Sequence, residues 1–515
     1  MKIQIHDFGP IHRFECDLGK DLHLIVGENN VGKSYGITVV YLLLKALMES
    51  QDALDSTEFL HERVTQLPEE IFGRVSALNA GDEADIGDIF REEIIRLLKD
   101  TFLKRFRDYI GETYGPIDHV TNKFSGKSPR IRLVFAGAEI DIGVAKPEKV
   151  LEVKELTIGS SIALRCVAEN RPPDYEADNI IVYHDGRDYG RFKVAFIVAC
   201  AHFFGKMLKD ALSGIRDIHY LPALRSAAYQ VLSASRGFRA ALSGSRALPN
   251  ADDKNKREDE WLLPDGELFK NPTVKIQDQL INTFESQIES LDISTPLNDY
   301  FRELSEIKPD KNSQGNDPIH GIAKDIEQDI LGGSVEFDGE TRQMFYTPRG
   351  TDLRLDVDCA SSMVSELSPL VAFLRYIVAD PRATVRASSS DMGKEDNPPK
   401  TLVFMEEPEA HLHPVNQARL MNAFAALIFA ADVKIFLTSH SNYLFTKLNN
   451  LILAGKIDVD TVEAHVFKWS ETGSEAFPPL AVDKFGIDDD NFVDLAEELY
   501  EEKLDLIEQV NADVE

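Results

Sequence analysis

The feature that most constrains this chain is Gly27-Glu-Asn-Asn-Val-Gly-Lys-Ser34, set between the apolar run His23-Leu-Ile-Val26 and an apolar stretch from Tyr35 to Met48. It matches G-x-x-x-x-G-K-[ST], and each position has a physical task. Gly27, Asn29, Asn30 and Gly32 shape a loop whose successive N–H groups wrap phosphate oxygens, Lys33 reaches the terminal phosphates, and Ser34 offers a hydroxyl to Mg²⁺. A buried strand before the loop and a core helix after it would aim the positive end of the helix at the phosphates.

A second segment, Val403-Phe-Met-Glu-Glu-Pro-Glu409, gains its meaning from the first. Leu402 to Met405 is an apolar run ending in two carboxylates, as where a buried strand delivers acids to the C-terminal edge of an α/β sheet. Beside a triphosphate, Glu406 would hold Mg²⁺ directly or through water, and Glu407 would polarise the water attacking the γ-phosphate. The bland alternative is a strand ending in solvated acids.

Glu406-Glu-Pro-Glu-Ala-His-Leu-His-Pro414 resembles the Walker B and D-loop of ABC-type ATPases, in the branch containing the overcoming-lysogenization-defect (OLD) family and RecF-like and SMC-like proteins. Lys434-Ile-Phe-Leu-Thr-Ser-His440 is similar to that family's next strand and switch histidine, which implies that His440 senses the γ-phosphate. By charge and spacing alone, a lone His after a strand is an ordinary structural residue. Asp358-Cys-Ala-Ser-Ser-Met-Val-Ser-Glu-Leu367 stands where the family has its signature motif, which grips nucleotide bound to a second subunit. The resemblance points to Ser361 or Ser362 without choosing, and relatives often have Gly where this chain has Met363. The same residues also fit a plain helix starting at Pro369 with Ser368 as its cap. His219-Tyr-Leu-Pro-Ala-Leu-Arg225 is similar to a Tyr-Leu-Pro-Ala-x-Arg stretch of these ATPases. Either Arg225 couples the site to inserted arms, or it is a solvated residue after a strand.

The resemblance covers residues 1–48 and 200–230 weakly and 320–470 well. It implies an α/β fold, an ABC-type ATPase head in which a P-loop mixed sheet is flanked by helices, with inserted helical and small β segments. It also implies ATP and Mg²⁺ as cofactors, and a homodimer or higher oligomer closed around two nucleotides.

A length of 515 residues accommodates two to four units at about 150 residues each. Lys45 interrupts the longest apolar run, so no stretch reaches the roughly 18 apolar residues of a membrane helix, and no signal peptide is visible at the N-terminus. Scattered Cys16, Cys166, Cys200 and Cys359 fit buried thiols of a cytoplasmic protein. With 56 basic and 87 acidic residues the net charge is −31, which opposes adhesion to nucleic acid or anionic membrane except through a local patch. Ile218 to Ala251 is such a candidate: it lacks Asp and Glu and carries Arg225, Arg236, Arg239 and Arg246 among Tyr220, Phe238 and Tyr229. It is either a nucleic-acid contact or a neutral region packed against the acidic remainder.

The expected organisation is a head lobe with the P-loop at 1–48, an inserted helical and small β segment at 49–185, a return to the head at 186–232, a helical insert with a charged linker at 233–315, a second head lobe at 316–480, and an acidic helix at 481–515. Residues 1–48 read as strand, loop, strand, P-loop, helix. Phe90, Ile94, Leu97, Leu98 and Phe102 mark a helical stripe, Ile131–Ile162 a small β-layer, Phe192–Leu212 a buried helix, and Ile276–Leu291 another helical stripe. Asn250–Gly266 and Ala387–Lys400 read as solvated loops, and a hairpin is expected around Asp338-Gly339. From Asp483 the tail has thirteen acidic and two basic residues, with Phe492, Leu495, Leu499, Leu506 and Val510 on one stripe.

The leading expectation is a Mg-dependent ATPase switch subunit. OLD-like relatives fuse a TOPRIM nuclease after the head. Here the roughly 75 residues after His440 lack its acidic pattern, so the chain is not expected to be a nuclease itself. It resembles stand-alone ATPase subunits of Septu- or PARIS-type bacterial anti-phage systems, which implies a separately encoded effector, a nuclease or toxin. The alternative is a RecF-like repair ATPase acting directly on DNA. Two weaker constellations are a metal site at Glu407, Glu409, His411 and His413, and a serine hydrolase at Ser439, His440 and Ser441, which lacks a nucleophile elbow.

Overall fold

The computed structural model describes residues 1–54, 63–231 apart from 65–66, 68–72, 74–77, 80, 136, 146, 168–171, 177–178 and 186–187, then 233, 293–307, 317–338, 343–379, 399–487 and 500–507. Two units are formed: Met1–Ala223 with Asp380–Glu515, and Leu224–Ala379. The charged linker, the 276–291 stripe, most of the 387–400 loop, and Phe492, Leu495, Leu499 and Val510 lie outside the described residues.

The first unit opens with β1 (Lys2–Phe8), β2 (Ile11–Asp17) and β3 (Leu22–Gly27), and α1 (Lys33–Leu54) follows the glycine loop. The loop expected between two strands therefore contains β2, the second arm of an antiparallel hairpin. Its two-residue period is hidden because buried Ile11 is out of phase with buried Phe14 and Cys16. α1 is buried on nearly every side from Ile37 to Leu47, the pattern of a helix that supports a sheet and not of a surface helix.

Next come β4 (Glu83–Asp85), α2 (Gly87–Leu98), a π-turn at Lys99–Leu103 and α3 (Lys104–Tyr114). Phe90, Ile94, Leu97, Leu98 and Phe102 are fully buried, as their helical spacing predicts. Then follow β5 (Arg130–Phe135), β6 (Ala138–Ala145), β7 (Val150–Ile158), β8 (Ser161–Cys166), β9 (Asp174–Glu176), β10 (Asn179–His184), α4 (Tyr189–Leu212) and β11 (Ile215–Leu221).

The second unit contains α5 (Thr295–Glu306), α6 (Pro318–Ile326), the antiparallel strands β12 (Gly333–Phe337), β13 (Met344–Pro348) and β14 (Leu355–Asp356), and α7 (Ser362–Phe373). Asp317 caps α6 by accepting from Ile319 N–H, and a π-turn at Glu327–Leu331 ends at Gly332 with φ of 66°. Glu327 then accepts from Val335 N–H at 2.7 Å and from Arg375 Nη2 at 2.7 Å, binding helix, hairpin and the helix after α7 together.

Returning to the first unit, the chain forms β15 (Lys400–Glu406), α8 (Pro414–Ala430), β16 (Val433–Ser439), α9 (Asn442–Leu453), β17 (Val462–Ser470) and β18 (Gly473–Ala476). Eleven strands make one mixed sheet in the order β11-β15-β16-β3-β17-β18-β2-β1-β5-β6-β7. Neighbours from β11 to β17 are parallel, while those from β2 to β7 are antiparallel. Every residue of β16 is buried, as in a parallel strand covered on both faces, whereas β5 alternates exposed and buried from Arg130 to Leu133.

The small β-layer expected at 131–162 is not a layer of its own. β5 pairs with the edge of β1, matching Ile3 to Leu133 and Ile5 to Ile131, so β5 to β7 extend the main sheet. An open edge strand recruits a partner strand, and the alternation of β5 does not say which edge. Only β8 joins the separate sheet β4-β8-β10-β9. Cys16, Cys166 and Cys200 are buried as expected, but Cys359, in a short turn before α7, is exposed.

Candidate functional site

β16 lies between β15 and β3, with Glu406 paired to Thr438 and Ser439 paired to Val26, so three parallel strands end level at one edge. Gly27, Asn30 and Gly32 have φ of 145°, 63° and 96°. At Gly27 a Cβ would stand 2.6 Å from the Phe467 carbonyl oxygen, so close approach as well as φ demands glycine. α1 begins at Lys33, and its N-terminal N–H groups and dipole face the loop they follow. Asn29, Asn30 and Ser34 are exposed along it.

Lys33 is 4% exposed and donates to Gly27 O at 2.9 Å and Glu28 O at 2.7 Å. Its Nζ is also 3.2 Å from His440 Nδ1, and His440 Nε2 is 3.1 Å from Glu407 Oε1. With the ammonium donating to Nδ1, the imidazole carries its proton on Nε2 and donates it to the carboxylate. Burial pulls the Lys33 pKa down to about 8, against the opposing pull of Glu407 and Glu409. Glu407 has φ of 43°, a left-handed conformation that costs on the order of 1–3 kcal/mol and places the second acid past the strand end.

Glu409 is buried and serves as a brace. Its Oε1 accepts from Ser439 Oγ at 2.6 Å and His440 N–H at 2.8 Å, tying the loop after β15 to the end of β16, and burial raises its pKa. Glu406 is held differently: Tyr220 Oη donates to Oε1 at 2.9 Å and Ala223 N–H to Oε2 at 3.1 Å. Tyr220 is itself buried, with Thr38 Oγ1 2.8 Å from its hydroxyl, and burial with the Glu406 charge holds its pKa well above the ordinary phenol value.

Tyr220, Thr38 and Glu409 are absent from the residues expected at this site. Tyr220 falls in the Tyr-Leu-Pro-Ala stretch, but only the pairing of β11 with β15, which sets Tyr220 opposite Phe404, brings it to Glu406. With Tyr229, whose hydroxyl accepts from Met344 N–H, it belongs to the core and not to a stacking surface. Arg225 is 1% exposed, so it is not a solvated residue after a strand. Its Nε donates to Glu366 O at 3.0 Å, its Nη2 lies 3.7 Å from the Glu366 carboxylate, and Ser226 donates to the same carboxylate. Arg236, Phe238, Arg239 and Arg246 lie outside the described residues.

Ser361 and Ser362 lie in the second unit, Ser361 as the N-cap residue and Ser362 as the first residue of α7. Both are exposed and Ser361 makes no side-chain capping bond. The helix does not begin at Pro369, which sits inside α7, and Ser368 is buried instead of capping. Ser365 fastens the start of the helix by donating to Val357 O at 2.8 Å, a bond that spacing along the chain does not announce.

The weaker constellations are spoken for by structure. His413 Nδ1 accepts from Val415 N–H at the start of α8, Glu409 is engaged with β16, and among the described residues no three His, Cys, Asp or Glu are arranged to hold a metal. Ser439 donates to Glu409, and Ser441 caps α9 by accepting from Leu444 N–H at 3.1 Å. Among the described residues, no helix is long and apolar enough to cross a membrane.

Residues 254–445 match the family model of the AAA ATPase domain, a span that holds Ser361, Ser362, Glu406, Glu407 and His440 but begins after Lys33. No curated protein matches the chain. Similar solved structures include an Smc head bound to the C-terminal winged-helix domain of ScpA, 12% identical with a TM-score of 0.35, covering 94% of this chain and 98% of that one. Another is the Smc head with an extended coiled coil bound to the C-terminal domain of ScpA, derived from Pyrococcus furiosus, at 9% identity and a TM-score of 0.34, covering 99% and 98%. The SMC head domain from Thermotoga maritima is 10% identical with a TM-score of 0.32, covering 93% and 98%.

Proposed function

We propose that this chain is an ATP-binding and ATP-hydrolysing ABC-type switch subunit of a bacterial anti-phage defence complex, controlling a separately encoded nuclease or toxin effector. The observation that carries the ATPase part is the run Lys33–His440–Glu407, with contacts of 3.2 and 3.1 Å, at the common end of parallel strands. It joins a phosphate-binding lysine to a water-activating acid through one imidazole. The effector part is supported by the resemblance of the motifs to stand-alone defence ATPases.

The loop fits a triphosphate on its own geometry: a cradle closed to any side chain at Gly27, positive φ at Gly27, Asn30 and Gly32, and a buried lysine whose partners are carbonyls and an imidazole. Ser34 and Glu406 would hold Mg²⁺, which supplies charge neutralisation on the phosphate oxygens when bound. Lys33 exchanges its carbonyl partners for phosphate oxygens. Glu407 takes the proton of the attacking water, and His440 keeps that carboxylate oriented while donating toward the same region. Ser361 and Ser362 serve the nucleotide of a second copy, so that hydrolysis follows dimer closure.

Glu407→Gln is expected to keep ATP binding, lower turnover by about 10²- to 10⁴-fold, and accumulate an ATP-dependent dimer on size-exclusion chromatography. Ordinary turnover by this variant would remove Glu407 from its role. The effector part is tested by copurification with neighbouring gene products and by phage challenge. A protein that brings down no partner and leaves phage growth unchanged defeats it. Burial of Tyr220, Arg225 and Tyr229 gives the RecF-like alternative no support from the described part of its candidate DNA surface.

A further inference from the structure

Both carboxylate oxygens of Glu406 are engaged by one short segment. Tyr220 Oη donates to Oε1 at 2.9 Å and Ala223 N–H donates to Oε2 at 3.1 Å. The phenol has a single proton, and it is committed to Glu406. The contact of 2.8 Å with Thr38 Oγ1 is therefore one in which the threonine hydroxyl donates to the phenol oxygen. Thr38 stands on α1 one turn after Ser34. The resulting chain Thr38–Tyr220–Glu406 runs from the helix that presents Ser34 to the carboxylate at the end of β15, entirely within the first unit.

We infer that Tyr220 is a positioning residue for the Glu406 carboxylate: with the Ala223 N–H it fixes the orientation in which Glu406 meets a divalent cation bound with a nucleoside triphosphate, and Thr38 registers that carboxylate to the helix bearing Ser34. This rests on the proposed assignment of Ser34 and Glu406 to Mg²⁺. An ionised carboxylate has about four lone-pair sites, so these two donors alone do not exhaust its capacity to meet a cation or its water. Partners behind a ligand fix its rotamer, and their loss typically costs 10- to 100-fold in metal affinity. Two neutral donors do this without adding a charge that competes with the cation. The buried ring of Tyr220 has little room to turn away, since it lies between Tyr41 and Phe404 at centroid distances of 5.0 and 6.2 Å.

The test uses the full-length chain with Mn²⁺ as the cation and a non-hydrolysable ATP analogue, reading Mn²⁺ by electron paramagnetic resonance. Tyr220→Phe keeps the ring and deletes the donor. It should weaken Mn²⁺ binding in the nucleotide complex by about 10- to 100-fold, while analogue affinity measured in EDTA stays at the wild-type value. Thr38→Val should weaken Mn²⁺ less, and Thr38→Ser should restore it. Unchanged Mn²⁺ affinity in a folded Tyr220→Phe protein, with only a lower melting temperature, overturns the inference and leaves a structural hydroxyl. If Tyr220→Phe does not fold, the comparison of Thr38→Val with Thr38→Ser decides, equal Mn²⁺ affinities counting against the inference. Wild-type protein that binds the analogue without any effect of Mn²⁺ would instead defeat the underlying assignment of Ser34 and Glu406.

Discussion

Lys434 and Lys33 are both buried, at 7% and 4% exposure, and each donates to the carbonyls of a turn. Lys434, at the start of β16, bonds Leu18, Gly19 and Lys20 O at 3.0, 3.3 and 3.1 Å, while Lys33, beyond the end of β3, bonds Gly27 and Glu28 O. Burial lowers the pKa of both. They part company at the next contact. Lys434 has Asp21 at 3.2 Å, and Asp21 also pairs with Lys400 at 2.7 Å, so its charge is answered inside the protein. Among the described residues Lys33 makes no direct ion pair, and a histidine stands between it and Glu407. One end of the parallel strands is electrostatically finished, and the other holds a desolvated cation suited to an anion from outside. Burial of a lysine therefore does not mark function; the missing carboxylate does.

The largest effect that could break this contrast is on binding. Lys33→Ala should cost about 2–5 kcal/mol of nucleotide binding free energy, read by fluorescence titration, with little change of melting temperature, because relief of an uncompensated desolvated charge offsets the donor lost to Gly27 O, Glu28 O and His440. A protein that melts markedly lower yet still binds ATP would make Lys33 a second structural lysine. At the opposite edge, Lys434→Met should lower unfolding free energy by about 3 kcal/mol in urea, since Asp21 and three carbonyls lose a donor, while nucleotide affinity of the folded protein stays put.

A subtler discriminator is pH. The folded-state pKa of Lys33 is lowered from 10.5 to about 8, so between those values the unfolded chain holds more protons than the folded one. Its contribution to stability therefore rises with pH across that window and is unfavourable below it. A bound triphosphate restores the ammonium, so binding takes up a proton above pH 8. ATP affinity should fall by up to about tenfold per pH unit there, and calorimetry in buffers of different ionisation enthalpy should count that proton. Affinity that is flat from pH 8 to 10 would detach Lys33 from the phosphates. The smallest expected effect is at Ser441, the cap of α9. Ser441→Ala should cost about 1 kcal/mol of stability and leave turnover unchanged; a large drop in turnover would mean that the cap also sets His440.

Much of the geometry of the candidate site was legible along the chain because its signals are local. The glycine loop, the apolar runs of β3, β15 and β16, and the acids after β15 each lie within a few residues, and parallel burial makes such strands read as unbroken apolar runs. The antiparallel half was harder. In β2 the phase slips at Ile11, and in β5 alternation reveals a strand but not its sheet.

Residue chemistry along the chain determined that a glycine loop and an acidic strand end exist, because steric demands on glycine and the apolarity of buried strands are written in adjacent positions. Tertiary structure alone decided that Tyr220 grips Glu406, that Glu409 braces His440, and that Arg225 is buried against Glu366. Each of those contacts depends on which strand or helix lies beside which. A hydroxyl, carboxylate or guanidinium in the sequence carries no record of the partner, more than thirty or a hundred residues away, that will satisfy it.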